Sequence, residues 1–250
     1  MDQKEERLVV SVVCGQAKQN PDWLAIEWPL TVIVNGRQYI TLLTSPSHLE
    51  ELAVGFAFNK GLLTATGDIK SLVLKADLRQ AELELAGNGV SAADLAAITC
   101  PKGAHCSAVT DGIKDKGKPL SPDEIVGLMQ EFSTSSTLFR ETGAVHAAAL
   151  AGEGILVFRE DVARHNAIDK LAGNVILEGR DVSSLCLLTS GRISAVVVRK
   201  AFRMGIGLLI SRSAPTSLGV QMAEELGMTL VGFAREQRFN IYCNPWRVAI

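Results

Sequence analysis

The sequence predicts an α/β protein with a layered carboxyl-terminal domain, residues 138–250, and a smaller amino-terminal α+β domain, residues 1–137. From residue 144 onward short apolar runs alternate with segments of helical period, the pattern of strands linked by helices across a mostly buried sheet. In the first half, Asn35-Gly36 between two apolar runs marks a two-residue hairpin turn, a connection that joins antiparallel strands. The chain has 250 residues, 47% hydrophobic and 21% charged, which supplies a substantial core.

In chain order, residues 9–13 and 30–34 read as strands, with 38–42 as the strand after the hairpin turn. Ser47 with Glu50 three positions later forms a capping pattern, and Leu49, Leu52, Ala53 and Phe56 share one face of a helix ending near Gly61. Further short strands are expected at 72–75 and 81–85. Residues 88–119 turn to Gly, Asp, Lys and Ser and read as a mobile loop that carries Cys100 and Cys106. Ser121-Pro122-Asp123-Glu124 then opens a capped helix through Ile125, Leu128, Met129 and Phe132, with a second turn toward Phe139. Strands follow at 144–150, 155–158, 185–188, 208–210 and 229–231, helices at 161–171, 194–204 and 216–226, and a last strand position at Ile241. No internal repeat is present.

Composition excludes several function classes. No apolar stretch approaches the ~18 residues of a membrane helix, and Met1-Asp2-Gln3-Lys4-Glu5-Glu6-Arg7 is too acidic for a secretory leader. The expectation is a cytoplasmic protein with no membrane partner. Residues 190–250 hold eight Lys/Arg against three Asp/Glu, whereas residues 1–189 hold seventeen against twenty-four. A basic end on an acidic body suits a localised anionic ligand; nucleic acid asks for a longer basic stripe and aromatic platforms, and aromatics are only 5%. Five cysteines, an odd number irregularly spaced, argue against a disulfide framework.

The densest chemistry lies between residues 142 and 170. Thr142-Gly143-Ala144-Val145-His146-Ala147-Ala148 opens the stretch, and Glu160-Asp161-Val162-Ala163-Arg164-His165-Asn166-Ala167-Ile168-Asp169-Lys170 closes it, so two of the four histidines fall here. Core packing rarely asks for acids, bases, an imidazole and an amide within eleven residues. This pair of clusters resembles the TG…HAA and DVGRHNA…DK pattern of the formate dehydrogenase accessory sulfurtransferases, the FdhD/NarQ family, with Ala163 where the family has Gly. The resemblance continues upstream in Glu27-Trp28-Pro29-Leu30, Thr44-Ser45-Pro46 and Glu51-Leu52-Ala53. Downstream it takes in Ser190-Gly191-Arg192, Lys200-Ala201, Ser213-Ala214-Pro215-Thr216 and the run to Gly232-Phe233, about residues 25–245 apart from 70–135.

What the resemblance implies is specific. The carboxyl-terminal domain takes a cytidine-deaminase-like fold, and the segment Phe233, Ala234, Arg235, Glu236, Gln237 and Arg238 contacts the guanine dinucleotide end of a molybdenum cofactor. Arg235 and Arg238 match basic positions, and guanidinium groups pair bidentately with phosphate. Arg164, His165, Asn166 and His146 are expected beside the same molecule, Arg164 and His165 because a helix start favours anionic oxygens. A structural reading stands beside this one, in which Asp161 caps the helix and Asp169 pairs with a neighbouring base. Ser211, Ser213 and Thr216 either bond the ligand or cap the helix at Thr216.

A zinc deaminase needs His-x-Glu and Cys-x-x-Cys; here Ala148 stands at the Glu position and no Cys-x-x-Cys exists, so no metal ligand set and no hydrolytic deamination are expected. The family's sulfur chemistry needs an accessible thiolate. Its usual Cys-x-x-Cys is replaced by Cys100 and Cys106, six positions apart, either of which is a candidate carrier, Cys106 being favoured. Cys14, Cys186 and Cys243 read as inert residues of apolar strands. The implied function is that of a sulfur carrier required for formate dehydrogenase activity. Sulfur from a cysteine desulfurase would be carried as a persulfide to the molybdenum or tungsten bis(molybdopterin guanine dinucleotide) cofactor, bound as substrate with GDP as an analogue, and the cofactor would pass to an apo formate dehydrogenase. The alternative is a noncatalytic chaperone delivering the same cofactor. Similarity to the family implies a homodimer.

Overall fold

The structure, a computed structural model, describes residues 1–86, 113 and 117–250. Cys100 and Cys106, and the loop expected at 88–119 apart from Ile113 and its last three residues, lie outside the described residues.

Strands β1 (Lys4–Val13) and β2 (Gln16–Ala25) form a two-stranded ribbon closed by the Cys14-Gly15 turn. A four-stranded sheet follows, in the order β4-β3-β6-β5, from β3 (Trp28–Val34), β4 (Arg37–Thr44), β5 (Ile69–Lys75) and β6 (Gln80–Leu85). The hairpin at Asn35-Gly36 is present, both residues in the left-handed region that this turn demands. Helix α1 (Leu49–Asn59) packs its apolar side on this sheet.

The larger sheet has six strands in the order β12-β11-β10-β9-β7-β8: β7 (His146–Ala151), β8 (Ile155–Asp161), β9 (Cys186–Thr189), β10 (Leu208–Ser211), β11 (Thr229–Arg235) and β12 (Arg238–Cys243). β9, β10 and β11 are parallel, while β7 and β12 run against their neighbours. Both faces are covered. Ala147, Ala149, Leu188, Ile210 and Val231 meet Ile125, Leu128, Met129 and Phe132 of α2 (Pro122–Ser135). Ala148, Leu150, Leu187, Leu209 and Leu230 meet α4 (Arg164–Glu178) and α5 (Ala195–Arg203), and that core continues into α1 and the four-stranded sheet. The short α3 (Thr137–Thr142) and α6 (Ser217–Glu225) complete the helices of the described residues. None of them is long and apolar enough to cross a membrane.

Several expectations need correction. β1 begins at Lys4 rather than residue 9, and β2 is absent from the sequence reading because its polar, Pro21-containing run lacks the apolar alternation of a half-buried strand. Helix α1 is not capped by Ser47; its N-cap is His48, at φ 51°, with no side-chain cap bond. The helix expected at 161–171 starts at Arg164 and runs to Glu178, because Asp161 ends β8 and is fully buried. Cys14 is not a core residue: it sits exposed in the ribbon's turn at φ 50°. β12 occupies six residues where only Ile241 was expected.

Two glycines let the halves meet. A Cβ on Gly55 of α1 would fall 1.7 Å from the Asp169 carbonyl oxygen, and one on Gly173 of α4 would fall 1.8 Å from that of Glu51. The two helix backbones therefore touch, at a separation that any side chain would forbid.

Candidate functional site

The polar block at 160–170 divides between two sides of α4. Asp161, Asn166 and Lys170 point into the junction with the end of β4, and Asp169 points toward α1 and α5. Lys170 Nζ lies 2.6 Å from Asp161 Oδ2, both side chains fully buried. The Asp161 carboxylate accepts further from Thr44 Oγ1, from the Ser45 and Ala163 amides at 3.2 and 2.9 Å, and from Asn166 Nδ2 at 3.1 Å. The lysine donates to the carbonyls of Ser45 and Glu160, each at 3.2 Å. Burial lowers the Lys170 pKa, opposed by the Asp161 charge. Asn166 also donates to the Leu43 carbonyl at 2.8 Å, so it belongs to this clamp.

A second set lies one turn along. Asp169 accepts from Asn59 Nδ2 at 2.7 Å and Lys200 Nζ at 2.6 Å, while Arg159 holds Glu51 through Nε and Nη2 at 2.5 and 2.7 Å. The reading in which Asp169 pairs with a neighbouring base describes what is seen. Asp161 accepts from Ala163 two residues on, an Asx-type turn that precedes α4 rather than an N-cap.

Arg164 and His165 take the other side. The Arg164 side chain passes over Gly191, whose absent Cβ would lie 3.2 Å from Arg164 Cβ and 3.1 Å from its Cδ. His146 Nδ1 lies 3.2 Å from Ser190 Oγ, which also accepts from the Ala147 amide at 3.0 Å. Burial lowers the His165 pKa to about 4, with Lys200, Arg164 and His146 adding to it; burial and Arg164 lower that of His146. Both imidazoles are thus neutral at pH 7 beside standing positive charge. Arg164 Nε, His165 Nδ1 and Ser194 Oγ are buried and lack a hydrogen-bond partner. The N-cap Ala163 adds no side-chain acceptor to the first turn of α4, and at φ −110° it needs none of glycine's freedom. Orphaned donors at an uncapped helix start, beside arginine and lysine, are an arrangement that accepts an anion.

These residues gather where β9 ends and β7 begins, at the carboxyl edge of the parallel strands. The edge is laced together. Ser211 Oγ donates to the Gly191 carbonyl at 2.7 Å and accepts from the Ser213 amide at 2.9 Å, and the Phe233 amide donates to the Ser213 carbonyl at 3.1 Å. Thr216 caps α6 through its bond from the Gly219 amide, 3.1 Å, and Ser211 and Ser213 serve the strand ends. A one-residue bulge after Gly232 puts Phe233 at φ 51° and leads into the β11–β12 turn. Ala234 is buried, whereas Arg235, Glu236, Gln237 and Arg238 are exposed at the turn, with the Arg235 guanidinium 5.9 Å from the Phe233 ring centre.

The structure therefore brings together His146, Arg164 and His165, places the 233–238 turn at the end of β11, which β10 separates from β9 along the same edge, and removes Asn166 to the clamp. Sequence reasoning did not single out Ser190, Gly191, Ser194 or Lys200 as site residues. The signal was present, since Ser190-Gly191 and Lys200 fall in resembling blocks that are distant in sequence from His146 and Arg164-His165 yet adjacent to them in space. A cavity of about 210 Å³ lies at the opposite edge, beside Leu120, Gly152, Leu185 and Trp246. Its Cys186 is buried, with the thiol pushed up to about 12, and is inert.

The fold is α/β, and this edge gathers arginine, lysine and imidazole groups at the strand ends, where crevices form in open parallel sheets. Residues 25–249 match the FdhD/NarQ family. The chain is 37% identical over 244 residues to the sulfur carrier protein FdhD of Bacillus subtilis strain 168 and 38% identical over 244 residues to that of Bacillus licheniformis, covering 94% of this chain and 93% of each relative. A crystal structure from Desulfotalea psychrophila, described as a formate dehydrogenase accessory protein, superposes with a TM-score of 0.84 at 26% identity, over 99% of this chain and 100% of that one. The chain belongs to the FdhD/NarQ family.

Proposed function

We propose that this protein is a cytoplasmic sulfur carrier in the maturation of formate dehydrogenase. The observation that carries the reading is the edge site of Arg164, His165 and His146, with orphaned donors facing an uncapped helix start, in a chain whose relatives bear the name sulfur carrier protein. The cargo is the molybdenum or tungsten bis(molybdopterin guanine dinucleotide), a substrate whose pyrophosphates supply the anionic oxygens that such donors lack. Arg235 and Arg238 on the 233–238 turn take the guanine dinucleotide end, and Arg164 and His165 hold phosphate nearer the sheet. The strand order of the large sheet, with its first strand antiparallel between the second and third, supports the cytidine-deaminase-like reading of this domain. The protein acts as a homodimer, and neither nucleic acid nor membrane is a partner.

Sulfur arrives from a cysteine desulfurase. The thiolate of Cys106 or Cys100 attacks the terminal sulfur of the donor's persulfide, the donor's S–S bond breaks, and the desulfurase cysteine leaves as thiolate. The new persulfide holds the sulfane sulfur until it would pass to the bound cofactor, the carrier cysteine leaving as thiolate and the reduced metal of the cargo supplying the two electrons that take the sulfur to sulfide; the cofactor would then move to the apo formate dehydrogenase. Residues of the edge site take no part in making or breaking these bonds; they bind and orient the cargo.

Calorimetric titration with GDP tests the site. Loss of one charge-assisted phosphate contact costs about 1.5–3 kcal/mol, roughly ten- to a hundredfold in affinity. Arg164→Ala and Arg238→Ala are each expected to weaken GDP by that factor. Unchanged affinity in both variants removes these residues from the site.

A further inference from the structure

Helix α5 carries its charge on one side. Val197, Val198, Ala201 and Phe202 are buried in the core, and the other side presents Val196, Arg199, Lys200 and Arg203, at the three- and four-residue spacings that make neighbours on a helix surface. From residue 182 to residue 223 the chain holds five Lys/Arg and no Asp or Glu. The end of α1 adds to this surface. Arg203 donates to the Phe58 carbonyl at 2.8 Å and stands 5.1 Å from the Phe58 ring centre. Burial lowers the Lys60 pKa, and the nearby charges of Lys200 and Arg199 lower it further, opposed by Asp169. That carboxylate is buried and committed, to Lys200 Nζ at 2.6 Å and Asn59 Nδ2 at 2.7 Å. Lys60, Arg199, Lys200 and Arg203 against Asp169 leave a positive excess where α5 meets the end of α1.

This face adjoins the edge site, since Lys200 Nζ also lies 3.3 Å from the His165 carbonyl. A phosphate at the start of α4 does not span it. Arg199 and Arg203 stand five and nine residues beyond Ser194, about 7.5 and 13.5 Å along the helix axis. Val196, 40% exposed, gives the face an apolar member at its edge end. A surface of one sign speeds the encounter with an oppositely charged protein and fixes its orientation. A protein that takes the cargo from the edge has to approach beside α5, so carboxylates on such a protein find their complement there.

We propose that the cationic face of α5 and the end of α1 docks the protein that receives the cargo, through a cluster of carboxylates on that protein. The proposal rests on the carrier reading and names the surface used for delivery. The test is the association rate of the full chain, saturated with GDP, with apo formate dehydrogenase, measured by surface plasmon resonance at low and high salt. Lys60→Glu/Arg199→Glu is compared with Lys18→Glu/Arg37→Glu, which changes the net charge equally on β2 and at the β3–β4 turn. The α5 variant is expected to associate at least roughly tenfold more slowly, with a weaker salt dependence, and the control within about twofold of wild type. Calorimetric GDP affinity is expected to stay unchanged in both. If the reversed variant fails to fold, Lys60→Gln/Arg199→Gln is expected to slow association by roughly threefold. A fall in GDP affinity in the α5 variant assigns the face to the cargo and overturns the proposal. Wild-type association that the α5 variant leaves unslowed, or that the control slows equally, overturns the docking face alone. A wild-type chain that binds GDP but not the apoenzyme overturns the delivery reading together with the face.

Discussion

Lys170 and Asp161 form an ion pair of 2.6 Å with neither side chain open to solvent, and the pair joins the amino-terminal strands to the start of α4. Breaking a buried pair from one side leaves an uncompensated charge, which costs about 3–5 kcal/mol. Lys170→Met is therefore expected to lower the unfolding free energy by about that amount, and adding Asp161→Asn to recover part of the loss. Urea unfolding of the two single variants and the double variant measures this. Additive losses would show that the two residues do not act as a pair.

The contact of α1 with α4 makes a sharper prediction. Gly55→Ala and Gly173→Ala each drive a methyl into a backbone carbonyl, at 1.7 and 1.8 Å, and are expected to destabilise by about 3 kcal/mol or more. Gly127, in the middle of α2, has nothing within 4 Å of a new Cβ, and alanine there is expected to stabilise by roughly 0.5–1 kcal/mol. Thermal unfolding of the three variants decides it; equal effects at all three would deny the close approach.

His165 gives the pH dependence. Its folded pKa of about 4 lies below the ordinary 6.5, so the unfolded chain binds the extra proton first as pH falls. Stability contributed by the neutral ring is complete above about pH 6.5 and is lost as pH drops toward 4. His165→Gln should flatten the fall of the urea midpoint over that window. In an NMR titration the His165 ring should titrate well below pH 6 alone and higher with GDP bound, because a phosphate beside it favours the imidazolium. An unmoved pKa would place the phosphate elsewhere.

Thiol accessibility follows from the positions of the described cysteines. Cys14 is exposed in the β1–β2 turn and should alkylate in a short pulse, contrary to the strand-core reading of its sequence. Cys186 and Cys243 are buried, with burial raising both thiol pKa values, and should alkylate only on unfolding. Peptide mapping after a timed pulse gives the order, and early labelling of Cys186 would contradict the packing of β9.

Much of this was legible in sequence because it follows from local rules. The Asn35-Gly36 turn, the Ser121–Glu124 capping box and the alternating apolar runs of β7 to β11 each carry their own signature. β2 carried none, since an exposed strand held by ladder bonds alone shows no apolar period, whereas β12 was read only at Ile241 although Phe239, Ile241 and Cys243 alternate toward the core. The polar block at 160–170 was recognisable as special, but its division into a buried clamp and an outward pair depends on which side of α4 meets the amino-terminal sheet. That is a tertiary fact. The same is true of His48, whose left-handed backbone replaces the cap that Ser47 advertised.

The proposed function requires a thiol of this chain to carry sulfur. Incubation with a cysteine desulfurase and cysteine, followed by intact-mass and peptide mass spectrometry, tests it most directly. The expected result is one added sulfur atom on Cys106 or Cys100, absent when both are replaced by serine, with Cys14 unmodified despite its exposure. An active desulfurase that leaves both of those cysteines unmodified would contradict the carrier mechanism and leave delivery of the cofactor without sulfur transfer.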